Sequence, residues 1–218
     1  VDAPKSLDDR VTITMEQAPS IEASLPQKES PTVDQDGVSK AVAATVQVLT
    51  RSGTGSGFIV HQEGLVITAR HVVNNEEGYS LRHVKVRMSS NKDREDLLDA
   101  VVIRSHRQLD YALLWLQPEG SFPTMQIGNP AALRHAQTVF AVGSPAGMTN
   151  TVSKGIVSNP LALYRNVECV QTDAAIGHGN SGGPLITENG EAVGITLWGE
   201  GDFDALKFAV PVDYLKKD

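Results

Sequence analysis

Short β-rich segments broken by turn residues recur along most of this chain, and that rhythm constrains the fold more than any other feature. Residues 42–49, 58–60, 65–68, 84–88, 100–104 and 111–116 are rich in Val, Ile, Leu and aromatic side chains. Residues 53–57 (Gly-Thr-Gly-Ser-Gly) read as a turn between the first two. A stretch richer in Pro and Gly, residues 117–130, interrupts the pattern. It then resumes over 138–142, 151–157, 167–172, 184–187, 192–197 and 207–210. Many short strands with turn signals between them predict an all-β sandwich or barrel, and the interruption predicts two halves. Residues 212–217 read as a short closing helix.

Composition narrows the classes. The chain has 218 residues, room for one large domain or two small ones. Hydrophobic residues make up 40%, enough for a core, but only 5% are aromatic, so aliphatic side chains must fill it. A formal net charge of -7 argues against nucleic acid as a partner, because a phosphate backbone repels an acidic surface. No apolar run approaches the ~20 residues needed to span a bilayer. The chain opens at Val1 without a leader-like stretch, as a chain with its leader removed also would. Cys169 is the single cysteine, so no intramolecular disulfide forms; it reads as a small buried hydrophobe in an alternating strand. That usage fits a reducing compartment and also many envelope proteins. Residues 1–38 differ from the rest, with Pro4, Pro19, Pro26 and Pro31 among acidic and small polar residues. They read as an extended arm or linker, with residues 11–15 as a possible short strand. The expected division is the arm (1–38), a first β-barrel (39–120), a connector (121–131) and a second β-barrel with a short helix (132–218).

Chemistry concentrates in Gly179-Asn180-Ser181-Gly182-Gly183-Pro184. A nucleophilic serine must sit exposed on a tight turn with backbone N–H groups aimed at one spot, and glycines permit both. The N–H groups of Gly179 and Ser181 are the candidate oxyanion donors. A serine hydroxyl needs a base. His71, after the strand 65–68, is the best candidate of six histidines. The imidazole in turn needs a buried acceptor that fixes its tautomer, and Asp110, just before the apolar run 111–116, supplies one.

These residues occur in the order His, Asp, Ser, and the strings around them resemble the HtrA (Deg) family of trypsin-like serine proteases. The strings are Gly55-Ser56-Gly57-Phe58-Ile59-Val60, Thr68-Ala69-Arg70-His71-Val72-Val73, Asp110-Tyr111-Ala112-Leu113-Leu114, and Thr172-Asp173-Ala174-Ala175-Ile176 leading into the serine loop. The segment 139–147 resembles the family's strand and Gly-Asn-Pro loop, with Ser144 where Asn is usual, and 151–158 matches the strand pair that follows. The resemblance covers about residues 40–215 and implies two six-stranded β-barrels of the chymotrypsin-like fold with the active site between them. It implies peptide-bond hydrolysis of polypeptide substrates through an acyl-enzyme, with no cofactor and no metal. Family members commonly trimerise through the segment before the protease domain, so the arm is a candidate homo-oligomer element. A cell-envelope, periplasmic or secreted location is the matching expectation.

Departures from the family pattern are informative. Asn180 is neutral, so it cannot pair with a freshly cut N-terminus as the Asp of digestive enzymes does. Gly177-His178 stands where Asn-Pro is usual, which puts His178 at the cleft edge. No PDZ domain fits between Val210 and Asp218. By the logic of the fold, the pocket for the side chain before the scissile bond takes its walls from Ala175, Ile176, His178, Leu197, Trp198, Gly199 and Lys207, with Phe208 and Ala209 beside them. Lys207 stands where relatives often have Gly; inward it would attract an acidic side chain, outward it is a solvated strand lysine. Glu200, Asp202 and Asp204 would favour the opposite charge. The uncharged Ala175 and Ile176 and the bulk of Trp198 and Phe208 predict small or medium aliphatic residues before the cut. Three rival readings stand beside this one. They are a catalytically silent peptide-binding or chaperone-like relative, a glutamyl endopeptidase of the same fold, and a metal-binding protein using His61, His71, His83, His106, His135 and His178. The last lacks any recognised ligand spacing.

Overall fold

The computed structural model describes residues 35–88, 97–117, 121–144, 151–177, 179–197 and 207–216. Twelve strands form two closed barrels of six. The first holds β1 (Thr45–Leu49), β2 (Thr54–His61), β3 (Leu65–Ala69), β4 (His83–Met88), β5 (Leu98–His106) and β6 (Tyr111–Leu116). The second holds β7 (Thr138–Gly143), β8 (Thr151–Tyr164), β9 (Val167–Thr172), β10 (Pro184–Thr187), β11 (Ala192–Leu197) and β12 (Lys207–Pro211). Every ladder is antiparallel, and the two barrels close in the same cyclic order. Closure removes the sheet edges that an open arrangement of short strands would leave unpaired. Val46, Val48, Phe58, Val66, Leu114 and Leu116 fill the first barrel's core, and Val139, Val157, Val170, Leu185, Val193 and Ala209 the second's.

Three local expectations are corrected. Helix α1 (Gln35–Ala44) precedes β1, so the first strand starts at Thr45 and the arm expected over 1–38 overlaps the helix from Gln35. The run Ala41, Ala43, Ala44 favours helix over strand, and Thr45 Oγ1 donates to Ala41 O at 2.9 Å where the helix gives way to the strand. The rest of the arm, including the possible strand over 11–15, lies outside the described residues. Second, the glycines of 53–57 mostly do not turn the chain: β2 already begins at Thr54. Gly55 lies so close to its neighbours that a Cβ there would meet the Val72 methyls at 2.6 Å and Ser181 O at 3.0 Å. Gly55 and Gly57, where a Cβ would meet Ser181 O at 3.0 Å and Ile67 O at 2.9 Å, allow one backbone to approach another. Third, β8 continues past 157 to Tyr164, with register shifts on both sides of Asn159. The closing helix is a 3-10 turn, Val212–Lys216.

The connector touches both barrels. Phe122 N donates to Gln62 O at 3.0 Å and Met125 N to Ile59 O at 2.8 Å, both in the first barrel. Gly128 N donates to Ala192 O at 2.8 Å, in the second. It fixes the cleft that the sites below occupy.

Candidate active site

His71 sits on a short 3-10 helix (Arg70–Val73) at the end of β3. Opposite it, the β5–β6 turn ends at Asp110, whose φ of 53° is left-handed. Asp tolerates that region better than most residues. The conformation lets Asp110 grip the histidine turn with backbone and side chain together. Its carbonyl accepts from Arg70 N at 3.0 Å, and its Oδ1 accepts from His71 N at 3.0 Å. Its Oδ2 lies 2.7 Å from His71 Nδ1. A carboxylate only accepts, so Nδ1 carries the proton and Nε2 of the neutral ring is left as the basic nitrogen. Asp110 is half-buried rather than buried, with its side chain 30% exposed against 41% for His71.

The serine loop is held from both barrels. Ser181 O accepts from Ser56 N of β2 at 2.8 Å, and Gly182 N donates to Thr196 O of β11 at 2.8 Å. Thr196 Oγ1 donates to Asn180 O at 2.6 Å, and Ser56 Oγ donates to Gly179 O at 2.6 Å. Gly179 and Gly182 have φ of 94° and 83°, which side-chain-bearing residues rarely adopt. A Cβ at Gly182 would also overlap Ser56 O and Thr68 Oγ1. Asn180 is 4% exposed and donates through Nδ2 to Ala175 O at 3.4 Å; its uncharged amide suits a place where a carboxylate would be costly to bury. The preceding segment is tied down as well: Ile156 N donates to Asp173 Oδ1 at 2.6 Å and Ser153 Oγ to Ala175 O at 2.7 Å.

The two halves meet in one cavity of about 170 Å³, walled by His71, Gly179 and Ser181 and by the β1–β2 turn with Thr50, Gly53 and Thr54. The residues singled out for base, nucleophile and oxyanion donation are thus brought together there, and Asp110 stands behind His71. The expected specificity walls divide. Leu197 borders a second cavity next to His71 and Asp110. Ala175 is exposed and Lys207 half-buried. Ile176 is 3% exposed and packs, with Ala209, in the second barrel's core, so neither offers a free wall. The Phe208 ring is stacked on Tyr164, with centroids 4.3 Å apart. His178, Trp198, Gly199 and the acidic Glu200, Asp202 and Asp204 lie outside the described residues. Ser56, Thr68 and Thr196 had no role assigned from sequence; a small hydroxyl beside glycines, or in a strand of apolar residues, was the available signal. Cys169 is buried, and burial pushes its thiol from 9.0 up to about 11, so it is a neutral packing group. Among the described residues no three His, Cys, Asp or Glu side chains gather as metal ligands would, and no helix is long and apolar enough to cross a membrane.

Paired six-stranded barrels, with a histidine–carboxylate pair and a glycine-framed serine facing one cleft, define the architecture of chymotrypsin-like serine peptidases. Residues 55–195 match the family described as "Trypsin-like peptidase domain". The chain is 39% identical over 170 residues to "Serine protease HTRA2, mitochondrial" of Bos taurus, covering 75% of this chain and 35% of that protein. It is 36% identical over 173 residues to "Serine protease HTRA1" of Xenopus laevis (76% and 35%) and 35% identical over 173 residues to "Serine protease HTRA4" of Mus musculus (76% and 34%). The chain therefore belongs to the trypsin-like peptidase domain family and, within it, to the HtrA type of serine protease domain. It spans about a third of the length of these curated relatives.

Proposed function

We propose that this chain is a serine endopeptidase domain that hydrolyses peptide bonds of protein substrates through an acyl-enzyme. Ser181 Oγ attacks the peptide carbonyl carbon while His71 Nε2 takes its proton. Asp110 holds the ring in the required tautomer and stabilises its protonated form. The N–H groups of Gly179 and Ser181 donate to the oxygen that becomes negative in the tetrahedral intermediate. His71 then passes its proton to the amine nitrogen, the C–N bond breaks, and the acyl group stays on Ser181 as an ester. Water attacks the ester, His71 takes one of its protons, and cleavage of the ester returns that proton to Ser181. The observation that carries this reading is the double contact of Asp110 with His71, at 2.7 and 3.0 Å, directly behind the cavity that Ser181 and Gly179 share with His71.

Labelling with a serine-directed phosphonate tests it. The native protein should take the label, and Ser181→Ala should not and should lose peptide cleavage by several orders of magnitude. Normal turnover by the purified Ser181→Ala protein would overturn the assignment. The same proposal takes small or medium aliphatic side chains before the scissile bond, and exclusive cutting after Arg or Lys in a peptide library would refute that part. It also includes assembly into a homo-trimer through residues before α1, and an envelope or secreted location, to be checked by fractionating the source cells.

A further inference from the structure

On the side of His71 away from the β1–β2 turn lies a cleft of about 290 Å³ between the barrels. Its inner wall is apolar, with Leu197, Val167 and Val210 all buried. Its rim is cationic. Arg107, from the β5–β6 turn of the first barrel, stands on one side. Arg165, from the β8–β9 turn of the second, stands on the other, and both are exposed. The turn that carries Arg107 is braced, and Arg165 is held by its neighbour. Leu109 N donates to His106 Nδ1 at 3.1 Å, and the His106 ring stacks on Tyr111, which braces the turn carrying Arg107. The Arg165 guanidinium lies 5.2 Å from the centre of the Tyr164 ring, which is itself stacked on Phe208. A third arginine, Arg70, donates through Nη2 to Gly78 O at 2.7 Å. Among the described residues, the one carboxylate bordering the cleft is Asp110, and both of its oxygens are taken by His71. The described lining of the cleft therefore carries an excess of positive charge in a chain whose net charge is -7.

We propose that this cleft takes the carboxylate side chain of an aspartate or glutamate in the polypeptide substrate, close to the scissile bond and clamped between Arg107 and Arg165. The assignment rests on the protease reading above, since a peptide opened at Ser181 must run along the cleft that His71 borders. Guanidinium groups suit the role, because their planar donors match a carboxylate and stay charged at any working pH. Two rims from different barrels also mean that neither barrel alone would show the preference.

The test is a set of quenched fluorescent peptides, identical except for Glu or Gln placed in turn at each position on either side of the cleaved bond. At one position, on one side of the bond, Glu should exceed Gln roughly fivefold in kcat/KM, mostly through KM, as befits partly exposed ion pairs. The ratio should shrink towards one at high salt and in the Arg107→Gln/Arg165→Gln double variant. Arg134→Gln, which removes the same charge elsewhere on the second barrel, should keep it. Equal rates for Glu and Gln at every position, or a preference that survives the double variant, overturn the proposal. If no peptide is cleaved, the protease reading has failed, and binding decides this one separately. Fluorescence anisotropy on the Ser181→Ala protein should then show tighter binding of the Glu peptide than of its Gln twin, lost with the two arginines. Equal affinities would overturn it.

Discussion

Ser56 uses every polar atom it has within the serine loop's surroundings. It is 0% exposed. Its N–H donates to Ser181 O, its carbonyl accepts from Thr68 Oγ1 at 2.6 Å, and its hydroxyl donates to Gly179 O while accepting from Ser144 N at 2.9 Å. Holding the Gly179 carbonyl in this way fixes the peptide plane between Gly179 and Asn180, and so anchors the backbone on one side of the proposed oxyanion donor. Ser56→Ala leaves Gly179 O and Ser144 N without that partner, which should cost about 1–3 kcal/mol of stability. If Ser56 positions the loop, the folded variant should lose kcat with KM little changed, and should lose affinity for a tetrahedral boronate in proportion. An unchanged kcat in a folded variant would reduce Ser56 to packing. Cys169 gives a second expectation. Its folded pKa, about 11, lies above the ordinary 9.0, so its contribution to stability is present below pH 9 and is lost as pH rises towards 11. Denaturant titrations at rising pH should show this loss attenuated in Cys169→Ala, and a thiol reagent at pH 8 should react only after unfolding. His71, Asp110, Gly179 and Ser181 were legible in the sequence because each sits in a short string whose residue types the chemistry demands. Ser56 was not, since a serine between glycines looks like a turn until the other barrel's loop is laid against it.

The β8–β9 hairpin depends on its two-residue turn. Arg165 and Asn166 have φ of 49° and 64°, the pair of left-handed residues that a tight hairpin needs. Asn166→Gly should keep or slightly raise stability, and Asn166→Val should cost roughly 1–3 kcal/mol. Thermal unfolding of the two variants distinguishes them, and equal midpoints would mean that the turn relaxes freely. The Val variant should also weaken any preference for acidic peptides, because the same turn aims Arg165 into the cleft. The far half of β8 escaped sequence reading for a physical reason: Ser158-Asn159-Pro160 reads as a break. The structure absorbs it in irregular pairing around Asn159, where Pro160 need not supply a ladder hydrogen bond. Strands such as β6 and β11 were legible because burial on both faces leaves an almost unbroken apolar run.

For the whole molecule, the boundary between arm and protease domain decides which truncations are informative. Ala41 and Ala44 of α1 are fully buried in the core around the first barrel. At the helix's other end, the second barrel's β10–β11 turn comes so close that a Cβ on Gly190 would overlap Gly37 O. The helix therefore ties the two barrels together from outside the cleft, and a cut after residue 38 would remove half of that tie. A chain beginning at Gln35 keeps α1, the His71–Asp110 pair and the serine loop, so it should unfold at the same temperature as the full chain and cleave peptides at the same rate. A chain beginning at Thr45 should unfold several degrees lower, because the surface α1 covers would face water. If residues 1–34 assemble the proposed trimer, the Gln35 chain should scatter light as a monomer while the full chain scatters as three. A trimer that survives the Gln35 truncation would move the assembly surface onto the barrels. Loss of cleavage in a folded, monomeric Gln35 chain would mean that the arm supports the active site, and the division drawn at α1 would be wrong.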